Sequence, residues 1–106
     1  PVVFQIKEYL HQNYAVPSLS VPDISEHVRL SPTYVCTLFK NETGQTLNQY
    51  LTDYRIKMSK QFLSDPLYKI TDISAKVGYS DGNYYSKAFR KIVGLSPSEY
   101  REKMLR

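Results

Sequence analysis

The sequence predicts an all-α fold of about seven helices: two helix-turn-helix lobes joined by a long linker helix. Three observations lead there. First, a short pattern occurs twice, since Asp23-Ile24-Ser25-x-x-Val28 returns 49 residues later as Asp72-Ile73-Ser74-x-x-Val77. Second, Tyr34, Phe39, Gly44 and Tyr50 return 50 residues later as Tyr84, Phe89, Gly94 and Tyr100, which implies one inserted residue near Asp81-Gly82. Third, helix-start and helix-stop residues recur along the chain, and nothing alternates with strand period over a useful length. The resulting division is 1–46 for the first lobe, 47–64 for the linker helix and 65–106 for the second lobe.

Each element has its own local justification. Val3, Ile6, Tyr9 and Leu10 lie at helical spacing, so residues 2–14 form an amphipathic helix ended by Pro17. Ser20-Val21-Pro22-Asp23 starts the next helix with a serine cap, a proline in the first turn and an acid three positions on. That helix is expected to bury Ile24 and Val28 and expose Glu26, with the small Ser25 letting the following helix cross closely. Arg29-Leu30-Ser31 is the turn, Ser31-Pro32 starts the second helix, and Gly44 stops it. Thr46-x-x-Gln49 is a capping box that opens a long helix from about Leu47 to Ser64, which Asp65-Pro66 terminates. Its Ser59 lies among apolar positions, so the hydroxyl must bond back to the helix backbone or stay partly wet. The second copy begins near Ile70 with a poorer cap, because Lys69 stands in the place of Ser20. Gly78-Tyr79-Ser80 is its turn, Gly82 weakens the start of its second helix, and Gly94 ends that helix. Ser96-Pro97-x-Glu99 starts the last helix with cap, proline and capping-box acid all present.

The bulk properties narrow the function classes. At 106 residues the chain fits one domain or two small lobes sharing a connector. No apolar run approaches a membrane span, so no membrane role is expected. The single Cys36 has no internal disulfide partner, which fits a reducing cytoplasm. The chain opens on Pro1, and the expectation is a fragment whose N-terminal regulatory domain lies elsewhere in a longer parent. Residues 1–53 hold three basic and five acidic side chains, a balance of −2; residues 54–106 hold eleven and five, a balance of +6. A basic half suggests a polyanionic partner, though ordinary solubilising charge explains it equally well.

The helix faces decide more. After the first turn, Val35, Leu38 and Phe39 face inward, and in the repeat Tyr85, Ala88, Phe89 and Ile92 do so. The opposite faces carry Thr33, Cys36, Thr37 and Lys40, then Asn83, Ser86, Lys87 and Arg90 at matching positions. These side chains are small or polar and can approach base edges. Asn suits adenine, Lys suits guanine, and Thr can donate, accept or touch a thymine methyl. Any surface helix has one such face; two matched faces with matching glycine stops point to paired groove-reading helices.

Other chemistry finds no constellation. His11 and His27 are 16 residues apart without a Cys or carboxylate at metal-ligand spacing, so no metal or cofactor is expected. No catalytic grouping is present, and Cys36 has no sequence-adjacent base to activate it. The ten tyrosines read as core edges and phosphate hydroxyl donors rather than as a stacking platform for single strands. Two classes remain: duplex-DNA binding, and a helical module whose basic face binds an acidic protein.

The residues resemble the AraC/XylS family of bacterial transcription regulators, in their DNA-binding domain. The resemblance is carried by Ile73-Ser74-x-x-Val77-Gly78-Tyr79-Ser80-Asp81, Tyr84-Tyr85-Ser86-Lys87-Ala88-Phe89-Arg90-Lys91 and Gly94-Leu95-Ser96-Pro97-x-x-Tyr100-Arg101. Tyr54-Arg55-Ile56-x-x-Ser59-x-x-Leu63 is similar to the family's linker helix, and Leu30-Ser31-Pro32-x-Tyr34 and Phe39-Lys40-x-Glu42-x-Gly44 to its first motif. The opening stretch Ile6-x-x-Tyr9-x-x-x-x-Tyr14 resembles response-regulator members. The resemblance implies double-stranded DNA as partner, with each second helix in a major groove. It implies base contacts at Thr33, Cys36, Thr37, Gly82, Asn83, Ser86 and Lys87, and phosphate contacts at Pro32, Lys40, Arg90 and Lys91. It also implies activation through RNA polymerase. The chain departs from the pattern where Cys36 and Thr37 replace the Arg or Gln common in the first reading helix, and where Ser59 replaces a common Ala.

Overall fold

Local capping chemistry sets most of the helix boundaries. The computed structural model describes residues 1–106 as seven α-helices. They are α1 (Val2–Asn13), α2 (Val21–Val28), α3 (Pro32–Thr43), α4 (Leu47–Leu63), α5 (Ile70–Lys76), α6 (Gly82–Val93) and α7 (Pro97–Met104). At α2 the Asp23 carboxylate accepts from the Ser20 N–H and hydroxyl, both at 3.0 Å. The Ser31 hydroxyl oxygen accepts the Tyr34 N–H at 3.2 Å to open α3. Thr46 and Gln49 cap α4 reciprocally at 2.9 and 3.0 Å, and Ser96 and Glu99 cap α7 at 2.8 and 3.1 Å. Asp81 accepts the Asn83 N–H at 2.9 Å, which starts α6 at Gly82 despite that residue's poor propensity. Pro1 before α1 and Lys69 before α5 give no side-chain cap, since neither side chain carries an acceptor.

Both tight turns are the same Schellman closure. The Leu30 N–H reaches the Ser25 carbonyl at 3.2 Å, and the Tyr79 N–H reaches the Ser74 carbonyl at 3.0 Å. This closure needs a left-handed residue just past each helix. Gly78 supplies it at φ +98°, but in the first copy Arg29 is held there at φ +59°. A non-glycine residue in that region carries a strain on the order of 1 kcal/mol. The matched closures also move the insertion. Leu30 pairs with Tyr79 and the cap Ser31 with the cap Asp81, so the extra residue is Ser80, just before the Asp81-Gly82 step.

Two hydrophobic clusters share α4. Ile6, Leu10, Ile24, Val35 and Phe39 meet Leu47 and Leu51 from its first half. Ile73, Val77, Tyr85 and Phe89 meet Ile56 and Leu63 from its second half. The linker is therefore core to both ends of a molecule 46 Å long and 22 Å wide. Ser59 is fully buried on it and donates to the Ile56 carbonyl at 2.9 Å, the back-bonding that its apolar surroundings require. Beside it the Tyr85 hydroxyl is buried without a closed hydrogen bond, and burial pushes its pKa up.

One inward assignment is wrong. Ile92 is 44% exposed, and Val93 turns toward the core in its place. Counting from Phe89, position 92 falls at the edge of the apolar stripe while 93 continues it at i+4. Ile92 instead borders a cleft over α4.

Each lobe is closed by an arginine from its last helix. Arg55 on α4 donates to the Tyr14 carbonyl at 2.8 Å and the Val16 carbonyl at 2.9 Å, just past α1. Arg101 on α7 donates to the Leu63 carbonyl at 3.0 Å and the Asp65 carbonyl at 3.1 Å, just past α4. Tyr14 and Val16 lie 49 residues before Leu63 and Asp65, whereas Arg55 and Arg101 are 46 apart, so the carbonyl acceptors follow the repeat and the arginine donors do not. A Cβ on Gly78 would collide with the Tyr14 carbonyl and come within 2.7 Å of Arg55 Nε, whereas one on Gly82 would meet only Ser74 Oγ at 3.8 Å. Gly78→Ala is expected to cost about 3 kcal/mol, from backbone strain and overpacking together. Gly82→Ala should stabilise by about 0.5–1 kcal/mol through helix propensity. Urea unfolding of the two variants checks both signs; equal effects would contradict the packing described at Gly78.

Candidate nucleic-acid interface

The face of each reading helix follows from what its opposite face must bury. In α3, Val35 and Phe39 are fully buried, which turns Thr33, Cys36, Thr37 and Lys40 to solvent, with Pro32 exposed at the helix start. In α6, Tyr85 and Phe89 are buried, and Gly82, Asn83, Ser86, Lys87, Arg90 and Lys91 are exposed. All eleven side chains or backbone positions singled out in the sequence are thus solvent-accessible on two equivalent helices.

The two helices border a common cleft of about 620 Å³. Lys40 and Gly44 at the end of α3 lie on one side, Lys91 and Ile92 of α6 on the other, and Asn48 and Thr52 of α4 form the floor. The C-terminal halves of both reading helices therefore rise from the same face of the linker.

Charge is distributed unequally. Lys40 Nζ, the one cation of the first reading helix, donates to the Gly44 carbonyl at 3.1 Å and stays exposed. Arg90 stands 3.8 Å from Glu99, with both side chains exposed, a pair worth little in water. Hydrogen bonds from Ser96 hold the Glu99 carboxyl below its ordinary pKa, with Arg90 a lesser cause. Lys87 and Lys91 have no carboxylate within ion-pair distance. Free positive charge is thus concentrated on α6.

Sequence reasoning left two features unresolved, namely which tyrosines stand outside the core and what Arg55 holds. Tyr34 and Tyr84 are 53% and 68% exposed at the same position of α3 and α6. Their 50-residue repeat was visible, but a tyrosine at helical spacing does not declare which way it points. Arg55 was seen only as a linker residue, because its partners lie about forty positions upstream. No group of three or more His, Cys, Asp or Glu side chains is placed to hold a metal ion. No helix is long and apolar enough to cross a membrane.

Comparison with known proteins agrees with this geometry. A family model described as a helix-turn-helix domain matches residues 24–103. The Msm operon regulatory protein of Streptococcus mutans is 36% identical over 102 residues, covering 96% of this chain and 36% of that protein. The chain thus spans about a third of that relative's length. The C-terminal domain of AraT, a response regulator from Geobacillus stearothermophilus, superposes with a TM-score of 0.93 at 29% identity, covering 97% of this chain and 85% of that one. The DNA-binding domain of AdpA, solved in complex with a target DNA, shares the fold with a TM-score of 0.88 at 18% identity, covering 95% and 90%. With two matched helix-turn-helix motifs on one linker and a family match over most of its length, the chain belongs to the AraC/XylS family of DNA-binding transcription regulators.

Proposed function

We propose that this DNA-binding domain reads two different sequence blocks in adjacent major grooves, one with each reading helix. The observation that carries the proposal is the pair of matched exposed faces on α3 and α6, both flanking one cleft over α4. Major grooves on one face of the duplex recur about every 34 Å, and the 46 Å length of the molecule is sufficient to reach two of them. In this reading lobes 1–46 and 65–106 each take one groove and helix 47–64 sets their spacing. Thr33, Cys36 and Thr37 meet base edges in one groove, and Gly82, Asn83, Ser86 and Lys87 in the other. Pro32, Lys40, Arg90 and Lys91 line the phosphates. The two faces differ in chemistry, so the preferred site is non-palindromic and is bound by a monomer. The AdpA domain, which shares this fold, was solved on a target DNA, and that supports the duplex as partner.

The resemblance supports a wider role as well: cytoplasmic transcription activation through contact with RNA polymerase. The likeness to the AraT domain supports a response-regulator parent.

Selection from random duplex DNA gives the probe, and three variants then test the reading. Specific binding should exceed random binding by about 10³-fold or more at one salt concentration. A module for acidic proteins would show no such preference. Lys87→Ala is expected to lose more specific affinity than Thr37→Ala, because a good bidentate base contact is worth about 1–3 kcal/mol and α6 holds the free charge. Arg90→Ala should weaken selected and random duplex alike and flatten the salt slope by about one unit. A parental affinity for Lys87→Ala beside a large loss for Thr37→Ala would make the first lobe the main reader.

Cys36 offers an independent check, as an exposed thiol and the only one in the chain. The selected duplex should slow its alkylation at least about tenfold, while random duplex at equal concentration protects far less. Alkylation unaffected by the selected duplex would remove α3 from the groove.

A further inference from the structure

The ten tyrosines divide sharply by environment. Tyr9, Tyr14, Tyr50, Tyr54, Tyr68, Tyr79, Tyr85 and Tyr100 each pack against another aromatic ring. Tyr34 and Tyr84 pack against none, carry no cation over the ring, and make no side-chain hydrogen bond; they are 53% and 68% exposed. They are also equivalent under the internal repeat, each the third residue of its reading helix. Isolated exposed apolar residues are ordinary. Repetition is not, and none of the other large exposed hydrophobics has an exposed hydrophobic counterpart in the other copy: Phe4, Val16, Leu67, Ile92, Met104 and Leu105 pair with Asp53, Asp65, Ser18, Glu42, the half-buried Tyr54 and Arg55.

The helical spacing says where these rings stand. Tyr34 shares an edge with Thr37 and Asn41, and Tyr84 shares the same edge with Lys87 and Lys91. That edge flanks the reading face rather than forming its centre. A long, stiff side chain there meets the wall of a groove, where the sugar–phosphate backbone runs, and tyrosine is among the residues that donate to phosphate. A hydroxyl on a rigid ring fixes register at small entropic cost and adds no charge. Resting on the major-groove reading above, we propose that Tyr34 and Tyr84 are paired positioning residues. Each hydroxyl donates to one DNA phosphate, and each ring packs on the adjoining deoxyribose. The first reading helix, which carries a single lysine, then gains a neutral anchor where the second has several cations as well.

The test uses the whole 106-residue chain, its selected duplex, and the variants Tyr34→Phe and Tyr84→Phe. Each variant should melt as the parent does, since an exposed hydroxyl is all that is removed. Each should bind both selected and random duplex about tenfold more weakly, the scale of a hydrogen bond to a charged acceptor, with the salt slope unchanged. A scan of single methylphosphonate substitutions locates the acceptor. At one phosphate per tyrosine, neutralisation should weaken the parent but not the matching Phe variant. Parental binding by both Phe variants, or losses that add to every methylphosphonate, would overturn the tyrosine assignment while leaving groove reading intact. A parent that shows no preference for any duplex would instead overturn the groove reading itself.

Discussion

The Arg55 guanidinium is the contact on which the arrangement of the two lobes depends. It rises from the middle of α4, takes two carbonyls beyond α1, and lies 5.6 Å from the Tyr79 ring just after α5. Three segments far apart in sequence are thereby fixed to one another. Burial pushes the Arg55 pKa down, with Tyr79 partly opposing, but a guanidinium starts high enough to remain charged. Hydrogen bonds from a charged donor are worth about 1.5–3 kcal/mol each, so the junction ranks with a large core side chain. It also explains the glycine at 78, where any Cβ would occupy the space of the Tyr14 carbonyl and the guanidinium.

Arg101 repeats the device at the other end of α4, closing the second lobe onto the carbonyls of Leu63 and Asp65. The linker helix is therefore clamped near both its middle and its end, and its two halves are buried in two different cores. The two copies share their folding chemistry and differ in their surface chemistry. The Schellman closures, the buried Ser25 and Ser74, and the paired phenylalanines at 39 and 89 recur almost residue for residue. The reading faces do not: one offers hydroxyls and a thiol, the other an amide, a hydroxyl and free cations. Buried positions are constrained by volume and by unsatisfied polar groups, whereas exposed positions are free to diverge toward different bases.

What could be read from the sequence was what is local. Caps such as Thr46-Gln49 and Ser96-Glu99 act over three residues, and the buried stripes of α3 and α6 act over four, so both were legible. Ile92 was misplaced because a stripe only about two residues wide per turn leaves its edge ambiguous; the neighbouring element, not the pattern, decides. The left-handed Arg29 was illegible for a different reason. Only alignment with Gly78 reveals that its position demands positive φ, since arginine itself gives no sign of it. Arg55 and Tyr34 show the same gap at the site. The first acts across about forty residues, and the second acts by having no partner within the chain.

The clamped linker has a consequence for the mode of binding. If α3 and α6 enter successive grooves of one duplex, their separation is set inside the protein, by α4 and its two arginines, and any mismatch with the groove repeat must be absorbed elsewhere. Distorting the protein would mean breaking charge-assisted hydrogen bonds or opening a packed core, at several kcal/mol. Smoothly bending a short duplex costs about 1–6 kcal/mol and falls further at flexible pyrimidine–purine steps. The DNA is therefore the softer member. Base pairs between the two blocks, although untouched, then contribute to specificity through how readily they bend. In the proposed two-groove mode, the stiffness of the connector would thus add a third, indirect element of recognition.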